Sequence, residues 1–136
     1  MKTFRIACAG WMALITLVVT SHGAAAAPAL FVPTSGNLQA ERQQASADGR
    51  RLLVLFSLAD CGPCERLEKA IERSPELKRR LRASYKTVRL NLAGDPAVTD
   101  TLGARTSAVK LAASVHAAGT PTLLFFDNDG RLQFRY

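Results

Sequence analysis

The sequence carries no glycine-rich loop of the kind that cradles phosphate, so nothing in it predicts nucleotide binding. No internal repeat and no low-complexity domain occurs, apart from an alanine-rich stretch at Ala24 to Ala27, which sets repeat architectures aside. Its longest apolar run, Ile6 to Val19, is short for a membrane span, so a stable anchor is not expected. The net charge is +7, yet no aromatic residues interleave the basic ones in a patch, and an exported chain rarely meets nucleic acid. That charge reads as solubility with a mild preference for acidic partners. Histidine is scarce, with His22 and His116 only, and cysteine is limited to Cys8, Cys61 and Cys64. A disulfide-stapled scaffold is therefore excluded.

What is present begins with a leader. Lys2 and Arg5 precede the apolar run, Thr20 to His22 close it, and Gly23 to Ala27 supply small residues. This is the layout of a secretory signal peptide over residues 1–26, cut after Ala26 or slightly earlier because Pro28 disfavours a later cut. No paired arginines precede the apolar run, which points to the general export route. Residues 27–36 read as a linker or N-terminal arm, with Leu30, Phe31 and Val32 available to dock, and 37–136 as one α/β domain. Cys8 leaves with the leader. The remaining pair, Cys61 and Cys64, brackets too small a loop to stabilise a fold by chain entropy, so it reads as redox chemistry.

That pair lies in Cys61-Gly62-Pro63-Cys64. The apolar run Leu52 to Phe56 before it reads as a strand covered on both faces, and Glu65 to Arg73 after it as a helix. At a helix start, unpaired N–H groups and the macrodipole favour negative charge. Cys61 is thereby biased toward the thiolate, the nucleophilic form. Cys64, one turn further, is placed to attack a mixed disulfide formed by Cys61. Pro63 removes a backbone donor that has no helical partner there.

Along the rest of the chain, Asn37 caps a predicted helix from Leu38 to about Ala47 that Gly49 ends. Ser74-Pro75-Glu76 is a second start signal, predicting a helix through Arg82 with Leu77 and Leu81 inward. The cluster of Lys78, Arg79, Arg80 and Arg82 reads as its solvated face. Lys86 to Leu92 reads as a strand with Val88, Leu90 and Leu92 on one side. Asp95 to Thr106 reads as polar and irregular. A helix from about Ser107 to Ala117 is expected to turn Val109, Ala112 and Val115 inward. Gly119-Thr120-Pro121 then leads into a strand, Thr122 to Phe126, and Asp127 to Gly130 is a hairpin turn before the strand Arg131 to Tyr136. The order predicts a small mixed sheet flanked by helices.

Cys61-Gly62-Pro63-Cys64 together with Thr120-Pro121 resembles the thioredoxin superfamily, over essentially Leu38 to Tyr136. The resemblance implies a thioredoxin-like fold, a cis Pro121 lying against the cysteines, and a Thr120 whose backbone receives a substrate strand. Arg89-Leu90-Asn91, Gly94-Asp95, Val98-Thr99-Asp100 and Gly119 through Gly130 resemble more closely the periplasmic thioredoxins of the SoxW type, found with sulfur-oxidation systems. That closer resemblance implies a periplasmic reductant of protein disulfides, re-reduced by a membrane thiol-electron transporter. No cofactor is implied beyond the redox-active Cys61–Cys64 disulfide.

Three departures from the family stand out. Asp60 occupies the usual tryptophan position, where an acid opposes thiolate formation. Leu55 occupies the place of a buried acid that moves protons from the second cysteine. Glu65, the other acid set to modulate the site, and Glu68 are the available substitutes, along with water. The family's helix after the last hairpin has no counterpart in the sequence, so Phe125, Phe126, Leu132 and Phe134 are expected to expose apolar surface. Two other readings stay open: a copper carrier using Cys61, Cys64 and His116, and a redox-inert or incomplete module of the same fold. The resemblance leaves the direction of the reaction open as well.

Overall fold

The computed structural model describes residues 29–136. The expected leader, with Cys8, lies outside the described residues. The sheet is built from β1 (Val32–Pro33), β2 (Arg51–Ser57), β3 (Tyr85–Asn91), β6 (Thr122–Phe126) and β7 (Leu132–Arg135) in the order β1-β3-β2-β6-β7. β1, β3 and β2 run parallel, while β6 and β7 run antiparallel to their neighbours. The helices are α1 (Leu38–Ala47), α2 (Gly62–Glu72), α3 (Pro75–Ser84) and α4 (Ala108–Ser114). This is the expected mixed sheet flanked by helices.

β2 organises the core. Leu52 to Phe56 are all fully buried, and the two-residue period of a strand divides them between the sheet's faces. Leu52, Val54 and Phe56 pack with Leu38 of α1 and with Ala108, Leu111 and Ala112 of α4. Leu53 and Leu55 pack on the other face with Ile71 of α2 and with Leu30 and Phe31, and Leu67 and Leu81 lie against that cluster. The segment before α1 is thus docked, with Thr34 N–H donating to the carbonyl of Arg89. Val32 itself faces outward.

Local chemistry sets the helix ends where the sequence signals them. Asn37 accepts the amide of Ala40 at 2.9 Å, and Ser74 accepts that of Leu77 at 3.4 Å. Gly49 holds φ +69°, which ends α1. One carboxylate is inside. Glu41 is 7% exposed, with Lys86 at 2.8 Å and the amide of Ser35 at 3.0 Å. Burial raises its carboxyl, but the hydrogen bonds from Lys86 and Ser35 outweigh burial and leave it below the ordinary value.

Four expectations are corrected. The stretch Asp95 to Thr106 is not irregular: it holds a hairpin of β4 (Ala97–Thr99) and β5 (Arg105–Ser107), tied back by Arg42 to the carbonyl of Thr101 and by Thr101 to that of Gly130. Val109 is 49% exposed, because α4 turns Ala108, Leu111 and Ala112 to the core. Leu77 is 42% exposed, since α3 touches the core mainly through Leu81. Phe126 is buried, so the expected apolar exposure falls on Phe134 and Leu132 instead.

Candidate active site

The site forms where β2 ends. After Ser57 the chain turns through Leu58 to Asp60, and Asp60 takes a left-handed φ of +55°, a conformation aspartate tolerates better than most residues. Asp60 is exposed to solvent. Cys61 caps α2: its Sγ accepts the amide of Cys64 at 3.2 Å, and its carbonyl accepts that of Glu65 at 3.1 Å. The helix begins at Gly62, with Pro63 in its first turn, so Cys61 is its N-cap and Cys64 lies within its first turn.

Cys61 and Cys64 are joined in a disulfide. Cys61 is half-buried, whereas Cys64 is 4% exposed. An incoming sulfur therefore reaches Cys61 first. Across from it stands Thr120, whose Oγ1 is 3.5 Å from Cys61 Sγ, and the Thr120–Pro121 peptide bond is cis. Thr122 Oγ1 donates to the carbonyl of Gly119 at 2.6 Å, fixing this corner at the start of β6. The fold brings Cys61, Cys64 and Thr120 together, with Pro121 next along the chain.

The acids are distributed differently. Glu65 is exposed and pairs with Lys69 at 3.4 Å. Glu68 ion-pairs with Arg89 of β3. Arg89 is the register partner of Leu55, and its Nε is buried with no hydrogen-bond partner. Sequence reasoning singles out Glu68 but misses Arg89 as its partner, whose only signal is a cation in an otherwise alternating strand. Among the described residues no group of three or more Cys, His, Asp or Glu is placed to hold a metal ion. His116, expected to close α4, lies beyond its end at Ser114 with φ +54°.

The sequence matches the thioredoxin-like domain family over residues 38–136. The chain belongs to that family. No curated protein matches it significantly. Among solved structures, this thioredoxin-like chain is similar to a thioredoxin-fold protein from Helicobacter pylori, at 22% identity and TM-score 0.54. That match covers 65% of this chain and 60% of the Helicobacter protein. A thioredoxin from Thermus thermophilus aligns at 20% identity and TM-score 0.55, over 78% of this chain and 72% of that one. A DsbH oxidoreductase aligns at 16% identity and TM-score 0.54, over 86% and 82%. At these identities the likeness is one of fold. Within the thioredoxin-like fold of this chain, a groove of about 380 Å³ opens beside Thr120 and Pro121 and extends past His116 to Arg135.

Proposed function

We propose that the protein is an exported thiol–disulfide oxidoreductase that reduces protein disulfides in the periplasm, of the SoxW type. The observation that carries this reading is the half-open Cys61 at the start of α2, disulfide-bonded to a buried Cys64 and facing Thr120 across 3.5 Å.

In the reduced protein, the Cys61 thiolate attacks one sulfur of a substrate disulfide. A Cys61–substrate bond forms, the substrate S–S bond breaks, and the other substrate sulfur leaves as a thiolate that takes up a proton. Cys64 then loses its proton and attacks Cys61 Sγ, forming the Cys61–Cys64 disulfide and releasing the second substrate thiol. Two electrons pass from the dithiol to the substrate, and a dithiol donor, a membrane thiol-electron transporter, returns them. The unequal burial of the two sulfurs supports these roles: Cys61 is half-buried, and Cys64 is buried. The signal-peptide layout supports the periplasmic location. Arg89-Leu90-Asn91 and Gly119 through Gly130 support the SoxW type.

The test is reduction of insulin disulfides with dithiothreitol, followed by turbidity, for the native protein and Cys61→Ser. Rapid turbidity with the native protein and none above background with the variant supports the reading. No acceleration by the native protein would overturn it and favour the redox-inert module.

A further inference from the structure

The groove beside Thr120 and Pro121 has a chemistry of its own, and its use by substrates rests on the protein being a thiol–disulfide oxidoreductase. Thr120 belongs both to the groove and to the surroundings of Cys61, 3.5 Å from its Sγ. A polypeptide whose sulfur reached Cys61 over this corner would pass the mouth of the groove. No acidic side chain lines it, its cation is Arg135, and the Tyr136 oxygen in the lining is engaged by the amide of Leu123 at 2.8 Å.

Many cations of the domain are already answered by carboxylates. Lys86 pairs with Glu41, Arg89 with Glu68, Lys78 with Glu72, and Arg79 and Arg80 with Glu76. Arg135 is exposed and has no carboxylate partner among the described residues. It is nonetheless held in place, because its Nη1 donates to the carbonyls of Val115 and, at 2.8 Å, of His116, just past the end of α4. A guanidinium has five N–H groups in a rigid fork, so Nε and Nη2 remain for a ligand. A fixed guanidinium with no carboxylate partner, on a wall without acidic side chains, favours an anion.

We propose that this groove selects protein substrates that carry an acidic side chain beside the disulfide cysteine, with Arg135 as the counter-charge.

The competing account is that Arg135 merely caps the C-terminal end of α4. The two separate in a substrate series. Three disulfide-bonded peptides, identical except for Glu, Gln or Lys beside the cysteine, are reduced by the full-length protein and by Arg135→Gln and Arg135→Lys. Wild-type kcat/KM is expected to fall in the order Glu, Gln, Lys, by about three- to tenfold from first to last, as suits an exposed charge pair. The order is expected to narrow at high salt, to disappear in Arg135→Gln and to persist in Arg135→Lys. A capping residue alone would lower all three rates together and leave their ratio untouched, and that result overturns the proposal. Equal wild-type rates for the three peptides would overturn it too. Should Arg135→Gln not fold, the wild-type salt series and Arg135→Lys decide the matter. Failure of the wild-type protein to reduce any of the peptides would instead overturn the oxidoreductase reading, and the selection with it.

Discussion

Leu55 and Arg89 are register partners on the two central parallel strands, and the acid that answers Arg89 comes from the helix above, as Glu68. The strand position beneath the cysteines is thus apolar, and the charge sits one strand over. Removing one partner of a partly buried pair strands the other, whereas removing both is far less costly. Glu68→Gln is expected to lower stability by about 1–2 kcal/mol in urea unfolding, and Glu68→Leu with Arg89→Leu to recover most of it. Additive losses in the double variant would contradict this account.

Cys64 is buried and Cys61 half-buried, so on the proposed mechanism the absence of Cys64 would block resolution rather than attack. Cys64→Ser, mixed with a disulfide-containing protein, is expected to accumulate a covalent adduct through Cys61. Mass spectrometry without reductant would show it; an adduct-free sample would count against Cys61 as the attacking sulfur.

Thr120 Oγ1 is the side-chain hydroxyl facing Cys61 Sγ. A Cys61 thiolate could only accept from this hydroxyl, and a donated hydrogen bond favours the charged form. Thr120→Val is expected to raise the midpoint of thiolate formation, read from thiolate absorbance during a pH titration. An unmoved midpoint would leave the helix start as the main influence on Cys61.

Glu41 gives the stability a defined pH dependence. Its folded-state pKa lies below the unfolded one, so its contribution is complete above the unfolded value of about 4.3 and is lost as pH falls through the folded value. Glu41→Gln is expected to cost about 1–3 kcal/mol at neutral pH and to make the stability loss on acidification shallower. Denaturant unfolding at neutral pH and near pH 3 tests both parts.

Gly130 joins the last hairpin to the β4–β5 insert. It holds φ +86°, and a Cβ there would meet the carbonyl oxygen of Thr101 at 2.7 Å. Gly130→Ala is expected to destabilise the domain by about 2–3 kcal/mol. Thermal unfolding would reveal it, and an unchanged midpoint would show that the insert can give way.

The parts of the fold legible in the sequence are those with local causes. Leu52 to Phe56 announce a buried strand, Ser74-Pro75 a new helix, and Asp127 to Gly130 a turn, since each is decided within a few residues. The β4–β5 hairpin escapes because strands of three residues are too short to show a period. The phase of α4 is misread because alanines at 108, 112 and 113 blur the apolar stripe, leaving Val109 as the more conspicuous and wrong choice. In the site, the cysteines and Thr120-Pro121 are legible from motif. The Glu68–Arg89 pair and the tether of Arg135 to the end of α4 are not, because each joins residues about twenty positions apart that only the folded sheet brings together.

The central place of β2 bears on how the protein breathes. The strand is hydrogen-bonded on both sides and buried along Leu52 to Phe56, so its amides are those expected to exchange with solvent last, through global opening alone. Cys61 follows only a few residues later. On the proposed function, the reacting sulfur thus hangs from the part of the molecule expected to open last, and a docking polypeptide would meet its edge while the sheet stays closed.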